Sequence, residues 1–407
     1  MSGERLAFDE LVRRAGADLA LAQRLRSDGL IGGPGTGDES VDARYSTGDV
    51  RRLQLIEACV AAGMRLDDIV EAHGRGALTF SPLDLPYYSR WGERSGTTFA
   101  AEADRWKIPI ELLGRIHDAL GFAPAAPTDA PRTDELEMMP VISTALEAGF
   151  DPEALVGMMR VYGDALRRIT RTETQLWHEY VDVPAQRDGR TQREVIEGGD
   201  TFGRAIVPLV DANLLSLYRR LQEMAWMGDL VEHVELAIEE AGLTHRLERP
   251  PAIGFVDLSG YSRLTEEHGD ERAAELATAH ATLVRRIARG YGGMAVNFLG
   301  DGVLFLFKGA SEGVAAALEA VGAVEPAGLP PAHVGMHAGP VVMRDGDVFG
   351  RTVNLASRLS GVAGPGEVIV TREVVDAAVD APASFDALGA VELKGVAEPV
   401  EVFLAIP

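Results

Sequence analysis

Two aspartates each follow an apolar run that is typical of a buried strand. Asp257 closes "AIGFVDL", and Asp301 lies between two glycines in "MAVNFLGDGVLFLF". A carboxylate beside buried strands is costly unless something compensates its charge. Because Mg²⁺ and Mn²⁺ prefer oxygen ligands, two carboxylates on adjacent strands can share one or two such cations. Each aspartate alone also has a plainer interpretation, Asp257 as a helix cap and Asp301 as part of a hairpin turn.

The residues directly after Asp257 add a second chemical feature. Ser259, Gly260 and Tyr261 follow the predicted strand and precede a predicted helix. Backbone N–H groups at the start of a helix are suited to receive phosphate oxygens. A metal pair beside an anion-binding turn indicates phosphoryl chemistry.

A third group of polar residues lies in "DVFGRTVNLASRLSG". Asn354 and Arg358 are four residues apart, so they share one face of a predicted helix. The planar guanidinium of Arg358 is a multiple donor suited to phosphate, and Asn354 is suited to orient a sugar. Taken alone, the pair also fits an ordinary surface arginine and a helix-stabilising asparagine.

The elements that must position these residues follow from the pattern after Pro251. "AIGFVDL" predicts a buried strand, a helical stretch runs from Glu271 to Ala288, and "GGMAVNFLGDGVLFLF" predicts strand, turn and strand. "AHVGMHAGPVVMRDGDVFG" predicts two more strands, and its Asp345-Gly346 pair suits a tight hairpin. A helix from Val353 to Leu359, a strand in "GEVIV" and two strands in "VELKGVAEPVEVFLAI" complete a predicted mixed α/β domain.

The chain before His245 has a helical pattern. In "YSTGDVRRLQLIEACVAAGMRLDDIVEA", Ser46 or Thr47 is a predicted helix cap, and Gly63 separates an amphipathic helix from a second, short one. This part resembles the MerR-type winged-helix module over residues 8–73. Helix-turn-helix geometry does not by itself establish DNA binding. The acidity of the chain favours a packing or dimerisation role for it.

Composition narrows the classes of partner and compartment. The 407 residues carry a formal net charge of −23, which argues against a general binder of nucleic acid or of an anionic membrane surface. Cys59 is the single cysteine, so an intrachain disulfide or a cysteine zinc cluster is not possible. The start lacks the apolar stretch of a signal peptide, and no apolar run has the length of a membrane span. These features predict a cytoplasmic protein without membrane partners.

Five motifs together carry a family resemblance. "FVDLSGYSRL", "NFLGDGVLF", "VGMHAGPV", "DVFGRTVNLASRLSG" and "ELKGVAEPVEVF" resemble, in order and spacing, the catalytic domain of class III nucleotidyl cyclases over residues 251–407. "FDPEALVGMMRVYGDALRRI" and "TQLWHEYV" look like the helical regulatory region of soluble actinobacterial cyclases. The resemblance implies an α+β chain, with an all-α regulatory half and a mixed α/β domain around a mainly antiparallel sheet.

The resemblance also implies an activity and a role for each matching residue. ATP would be converted to 3′,5′-cyclic AMP and pyrophosphate with two divalent cations, Mg²⁺ or Mn²⁺, in each site. Ser259, Gly260 and Tyr261 remain candidates for phosphate binding from their position before the predicted helix. Asp257, Asp301 and the Leu258 carbonyl would bind the metal ions. Arg358 would stabilise charge on the α-phosphate, and Asn354 would position the ribose. Lys394 would neutralise part of the triphosphate.

The base-recognition positions depart from the family pattern at one residue. Adenylyl cyclases of this family usually have a lysine four residues before the second metal aspartate, where this chain has Asn297. Asp347 matches the family's partner position and can accept a hydrogen bond from the amino group of adenine. We expect ATP as substrate, with lower selectivity and a lower rate. Asn297 alternatively is a neutral strand residue that faces away from the base.

The family completes each site from two chains, which implies a homodimer with two equivalent sites. Residues 1–245 are then the expected regulatory domain, with further helices over about 130–245, residues 246–251 a linker, and residues 252–407 the catalytic domain. His233 and His245 are candidates for a pH input because imidazole titrates near neutrality, or else are solvated linker residues. A small molecule is the other expected input.

Two other functions remain open at the level of sequence. Asn297 fits a weakly active or inactive cyclase relative that senses nucleotide. The helical start fits a DNA-binding regulator that carries a nucleotide-binding domain, although the net charge makes nucleic acid an unfavoured partner.

Overall fold

The chain folds as two compact units. The computed structural model describes residues 5–32, 45–84, 88, 91–123, 126–243 and 250–407, except the side chains of 199–201 and 297–299. Contacts between α-carbons divide the chain into Met1–Glu232 and His233–Pro407. A helical region precedes a mixed region with a mainly antiparallel sheet, so the predicted fold class is confirmed.

Helices build the first unit, and the last of them extends past its boundary. They are α1 (Phe8–Ala15), α2 (Leu19–Ser27), α3 (Thr47–Ala61), α4 (Leu66–Gly74), α5 (Phe99–Trp106), α6 (Ile110–Leu120), α7 (Thr133–Leu136), α8 (Met139–Glu147), α9 (Pro152–Trp177), α10 (Val183–Arg187) and α11 (Gln192–Glu240). A 3₁₀ turn lies at Ser81–Asp84, and a π-helical turn at His178–Asp182 joins α9 to α10. Within the described part of the chain, no helix combines the length and the hydropathy that crossing a bilayer requires.

The start of α3 shows how local sequence fixes a helix end. The Ser46 hydroxyl accepts a hydrogen bond from the Asp49 N–H, and the Asp49 carboxylate accepts one from the Ser46 N–H at 2.8 Å. This reciprocal capping box satisfies two donors that have no partner inside the helix. Of the two predicted cap residues, Ser46 and Thr47, Ser46 is therefore the one that caps the helix. Leu53 and Ile56 of the same helix lie in the apolar core formed by α1 to α4.

The second unit contains a sheet with helices on its faces. Its strands are β1 (Ala252–Leu258), β2 (Met294–Leu299), β3 (Gly302–Phe307), β4 (Ala332–Ala338), β5 (Val342–Arg344), β6 (Asp347–Phe349), β7 (Val368–Thr371), β8 (Ser384–Val391) and β9 (Val400–Ile406). Its helices are α12 (Tyr261–His268), α13 (Asp270–Gly290), α14 (Ala310–Ala323), α15 (Arg351–Ser360) and α16 (Arg372–Ala377).

Seven strands form the main sheet in the order β2-β3-β1-β4-β7-β9-β8. Strands β4 and β7 run parallel, and the other neighbours in this sheet are antiparallel. Strands β5 and β6 form a separate hairpin, in which Asp345 and Gly346 both have positive φ angles, 53° and 76°. Two positive φ angles suit the right-handed twist of a hairpin, as the Asp-Gly pair predicted.

Alternation along β1 gives the sheet two apolar faces. Ala252, Val256 and Leu258 belong to the core that includes α13 and α14, whereas Ile253 and Phe255 pack with Ala356 of α15. Because successive side chains of a strand point to opposite faces, Asp257 lies on the face of α15.

Helix α15 lies directly on β4. A methyl group at Gly335 of β4 would overlap the backbone of Ser360 and Leu359, so only glycine allows this close approach. This contact fixes the distance between α15, which carries Asn354 and Arg358, and β4, which pairs with the strand of Asp257.

Parts of the predicted element order differ from the structure. The stretch "AHVGMHAGPVVMRDGDVFG" contains three strands, β4, β5 and β6, where two are predicted. Two closing strands are predicted in "VELKGVAEPVEVFLAI", but that stretch contains only β9 and the last residue of β8, which ends at Val391. A turn follows β8, in which the Val396 N–H donates to the Leu393 carbonyl at 3.0 Å. Helix α14 was not predicted, because its sequence "ASEGVAAALEAVGA" is small and apolar on nearly all sides and lacks a clear amphipathic period. Of the two linker histidines, His245 lies outside the described residues.

Candidate active site

Asp257, near the end of β1, accepts a hydrogen bond from a serine of helix α15. The hydroxyl of Ser360, which is 1% exposed at the end of α15, donates a hydrogen bond to Asp257 Oδ2. The bond joins residues 103 positions apart in the chain. It orients the carboxylate of Asp257 while leaving its other oxygen for a different partner.

Asp301 occupies the tight turn between β2 and β3. The last strand pair is Leu299 with Gly302, so Gly300 and Asp301 form a two-residue loop, and Gly300 has a φ of 64°. A positive φ at the first loop position is suited to glycine. The turn places Asp301 opposite Leu258, since Val256 pairs with Val303 in the same ladder.

The electrostatic state of Asp301 reflects a confined carboxylate with a like-charged neighbour. Burial raises the pKa of Asp301, and the charge of Asp257 raises it further. Hydrogen bonds from its own N–H and from the Leu258 N–H, and the nearby His333, oppose that rise in pKa. The two aspartates are therefore close enough to repel one another, as their positions in sequence predicted.

A buried histidine of α13 forms a hydrogen bond with the same turn. His280 of α13 is 0% exposed, and its Nδ1 lies 2.8 Å from the main-chain oxygen of Asp301. A carbonyl oxygen can only accept, so Nδ1 carries the proton and donates. Burial lowers the pKa of His280, which favours the neutral ring.

The donors present suit a hard divalent cation. Asp257 and Asp301 offer carboxylate oxygens close to one another, and a bound cation would relieve the repulsion between their charges. Among the described residues no cluster of three or more histidine, cysteine or acidic side chains is suited to hold a metal. A site with two carboxylates is suited to a hard divalent cation that takes its remaining ligands from water and substrate phosphates rather than from a protein cage.

Some polar groups of the loop after β1 already have hydrogen-bond partners within the protein. The Ser259 N–H donates to the Pro331 carbonyl at 2.7 Å, and the Ser259 hydroxyl lies 3.0 Å from His333 Nδ1. Gly260 has a φ of 74° and precedes α12. The N–H groups at the start of α12 lack intrahelical acceptors, as all helix starts do, so they and not the Ser259 N–H remain as donors for an anion.

Tyr261, the first residue of α12, is bound to α13 rather than directed outward. Its hydroxyl donates to the Ala273 carbonyl of α13 at 2.9 Å. Burial raises the pKa of Tyr261, and the charge of Asp301 adds to that rise.

Helix α15 presents Asn354 and Arg358 away from its buried apolar side. Leu355, Ala356 and Leu359 are buried, whereas Asn354 is exposed and Arg358 is half-buried. The Arg358 guanidinium packs beside Gly395, where a Cβ would lie 3.3 Å from its nearest nitrogen. Lys394 precedes that glycine and is exposed, so the fold brings these two cations to one region.

The segments that carry Asn297 and Asp347 lie in one part of the fold. Val296 of β2 packs in the same apolar cluster as Val348 of β6. The strand register pairs Asn297 with Leu304, and the Asn297 side chain is not among those described. Asp347 is half-buried, and its Oδ1 accepts a hydrogen bond from the Val348 N–H at 2.8 Å.

Sequence reasoning missed three residues next to these aspartates: Ser360, His280 and His333. Ser360 and His280 reach the site through tertiary packing, which no local spacing reveals. His333 lies opposite Asp257 in the β1–β4 ladder, and that pairing required the strand register.

Comparisons with known proteins find similar cyclases. The family profile described as the adenylate and guanylate cyclase catalytic domain matches residues 331–406. An adenylate cyclase of Streptomyces coelicolor is 31% identical over 297 residues, which cover 72% of this chain and 74% of the relative. A pH-sensitive adenylate cyclase of Mycobacterium tuberculosis is 27% identical over 367 residues, covering 88% of each chain.

Solved structures similar to this chain cover about two fifths of it. The adenylyl cyclase CyaB from P. aeruginosa has a TM-score of 0.35 and 22% identity, over 39% of this chain and 94% of that chain. An adenylate/guanylate cyclase/hydrolase from Silicibacter pomeroyi has a TM-score of 0.34 and 30% identity, over 39% of this chain and 97% of that chain.

Proposed function

The chain belongs to the class III adenylyl cyclases, and from that premise we propose that it converts ATP to 3′,5′-cyclic AMP and pyrophosphate at a site shared by two copies. The observation that carries this proposal is the pair Asp257 and Asp301, which lie close together at the end of β1 and in the β2–β3 turn and accept hydrogen bonds from Ser360 and His280. In the reaction, the ribose 3′-oxygen attacks the α-phosphorus. The bond from that phosphorus to the bridging oxygen breaks, and the 3′-hydroxyl proton leaves with the pyrophosphate or to water.

Asp257, Asp301 and the Leu258 carbonyl are the proposed ligands of two divalent cations, Mg²⁺ or Mn²⁺. When bound, such ions supply activation of the 3′-hydroxyl and neutralisation of the triphosphate. The protein's part is to hold the carboxylates in place before the substrate arrives. The bond from Ser360 to one oxygen of Asp257 serves that purpose.

The proposed partners on the substrate side are the exposed residues of α15. Arg358 would stabilise charge that develops on the α-phosphate, Asn354 would position the ribose, and Lys394 would neutralise part of the triphosphate. Arg358 and Lys394 lie in one region beside Gly395, which supports a common anionic target. Asn354 points away from its own sheet, where a second copy could present its aspartates, and a homodimer with two-fold symmetry would form two such sites.

The experiment that tests the activity is a product assay. Purified protein with Mn²⁺ and ATP should form cyclic AMP and pyrophosphate in equal amounts. If the protein binds ATP without turnover, the alternative of a nucleotide-binding sensor holds instead.

Asn297→Lys is expected to raise the preference for ATP over GTP. Asn297 and Asp347 are the proposed base-recognition pair, and a charged donor would strengthen a hydrogen bond to the ring nitrogen by ~1 kcal/mol, roughly a fivefold effect. The measurement is the ratio of kcat/KM for ATP to that for GTP. Asn297→Gln, which keeps a neutral amide, is the control, and an unchanged ratio in the lysine variant would mean that residue 297 does not face the base.

The helical unit is proposed to regulate the catalytic unit, in response to a small molecule or to pH. A cavity of about 770 Å³ in the helical unit supports a small-molecule input. Its lining is mostly apolar and includes Trp177 of α9, Pro184 of α10 and Phe202 of α11.

Removal of the residues before Arg249 is expected to raise specific activity severalfold. The reason is that a long helical partner can hold two catalytic units apart, so that its loss relieves inhibition. The measurement is cyclic AMP formation by the full and shortened chains across pH and protein concentration. Asp301→Asn in the shortened chain gives the background, and equal activities of the two chains under all conditions would remove the regulatory role.

A further inference from the structure

His280 is unusual among the residues that surround the aspartate pair. It lies in the middle of α13, and the residues on its own helix face are apolar, namely Leu276, Leu283 and Val284. These neighbours belong to the main core, where an imidazole costs free energy unless it is hydrogen-bonded. An apolar side chain would fill this position at lower cost, so the imidazole calls for an explanation other than packing.

The hydrogen bond of His280 goes to the main chain of Asp301 itself. Asp301 is the second residue of a two-residue loop, outside the ladder that ends with Leu299 and Gly302. Its carbonyl therefore has no acceptor role in that ladder and needs a donor from elsewhere. His280 Nδ1 supplies that donor at 2.8 Å.

Two groups thus constrain Asp301. His280 donates a hydrogen bond to its carbonyl, and the Leu258 N–H lies close enough to its carboxylate to lower the pKa of that carboxyl. The second ring nitrogen of His280, Nε2, has no hydrogen-bond partner within the described part of the chain. Within that part of the chain, the hydrogen bond to Asp301 is therefore the polar interaction that offsets the cost of burying the His280 ring.

We propose that His280 is a positioning residue for Asp301. Its Nδ1–H fixes the β2–β3 turn so that the Asp301 carboxylate stays directed at Asp257. This inference rests on the proposed function, since it assigns His280 a role only through Asp301 as a metal ligand. Loss of the donor leaves the turn free to rotate, which weakens metal binding before it affects the fold.

Two variants separate the donor from the bulk of the side chain. Asparagine and leucine branch at the same carbon as histidine, and the amide nitrogen of asparagine can take the place of Nδ1. We expect His280→Leu to raise the Mn²⁺ concentration for half-maximal effect by about 10–100-fold, the range for residues that orient metal ligands. His280→Asn should stay within about threefold of wild type, because it retains the donor.

The first readout does not depend on catalysis. Mn²⁺ is titrated in the presence of 3′-deoxy-ATP, which lacks the attacking hydroxyl, and the rise in melting temperature is followed. The second readout is the Mn²⁺ dependence of cyclic AMP formation, in which KM for ATP at saturating Mn²⁺ should remain unchanged. Ile287→Val, a core change on the same helix, is the control for simple loss of stability.

The outcomes are distinct. If His280→Leu lowers the melting temperature as Ile287→Val does but keeps the wild-type Mn²⁺ dependence, His280 is structural and the proposal is overturned. Should His280→Leu not fold, His280→Phe, which keeps a ring without a donor, is compared with His280→Asn in the same way. A wild-type protein that shows no Mn²⁺ response at all would overturn the metal site itself, and the role of His280 with it.

Discussion

Asp301→Asn is expected to reduce cyclic AMP formation by about 10³-fold, because a lost metal ligand removes several kcal/mol of transition-state stabilisation. The fold should survive, since an asparagine oxygen can still accept the hydrogen bonds from the Leu258 N–H and from its own N–H. The measurement is kcat/KM with Mn²⁺ and ATP. Asp345→Asn, in the exposed β5–β6 hairpin with a φ of 53° that asparagine tolerates, is the matched control.

Asp301→Asn should be more stable than wild type without metal and less stable than wild type with metal bound. Burial and the charge of Asp257 raise the pKa of Asp301. A carboxyl with a raised folded-state pKa stabilises the fold below its unfolded pKa, and that contribution is lost as pH rises through the folded pKa. At pH 7 the metal-free wild type is thus destabilised relative to a neutral side chain.

Melting temperatures test this reversal. Without metal, Asp301→Asn should melt higher than wild type at pH 7, and the difference should shrink as pH falls towards the ordinary carboxyl range. With Mn²⁺ and 3′-deoxy-ATP, wild type should gain stability and the variant should not. Near wild-type activity of the folded variant with Mn²⁺ would show that Asp301 is not a metal ligand.

Much of the second unit could be predicted because its local signals agree. The apolar run before Asp257 formed β1, the predicted helix from Glu271 to Ala288 lies within α13, and the glycines around Asp301 marked a two-residue turn. The spacing of Asn354 and Arg358 placed both on one helix, as α15 has them. These features depend on neighbours within a few positions, where period and turn chemistry are informative.

What could not be predicted depends on distant parts of the chain. Ser360 meets Asp257 only because Gly335 allows α15 to lie on β4, and His280 meets Asp301 only because α13 packs beneath the β2–β3 turn. The extent of α11 was also missed, since Pro208 lies inside a helix that runs from Gln192 to Glu240. A proline is ordinarily a sign of a helix boundary, and here the helix continues past it.

Pairing of two inactive variants is expected to restore activity, which follows from a site divided between chains. Asp257→Ala chains lack a metal ligand but keep Asn354 and Arg358. Arg358→Ala chains keep both aspartates but lack the donor to the α-phosphate. Each homodimer has two damaged sites, whereas a mixed dimer collects both lesions in one site and leaves the other intact.

The expected size of the recovery follows from counting. Random pairing of equal amounts makes about half of the dimers mixed, each with one working site of two, so activity should reach about a quarter of wild type. Co-expression of the two variants avoids slow exchange of chains. Co-expression of two differently tagged Asp257→Ala chains, which cannot complement, is the control.

The most direct test of the divided site is the activity of the mixed dimer itself, isolated through a different affinity tag on each chain. We predict about half of the wild-type kcat and an unchanged KM for ATP, because one intact site remains in every dimer. An isolated mixed dimer with both chains folded, yet no more active than either homodimer, would contradict the account and place the whole site within one chain.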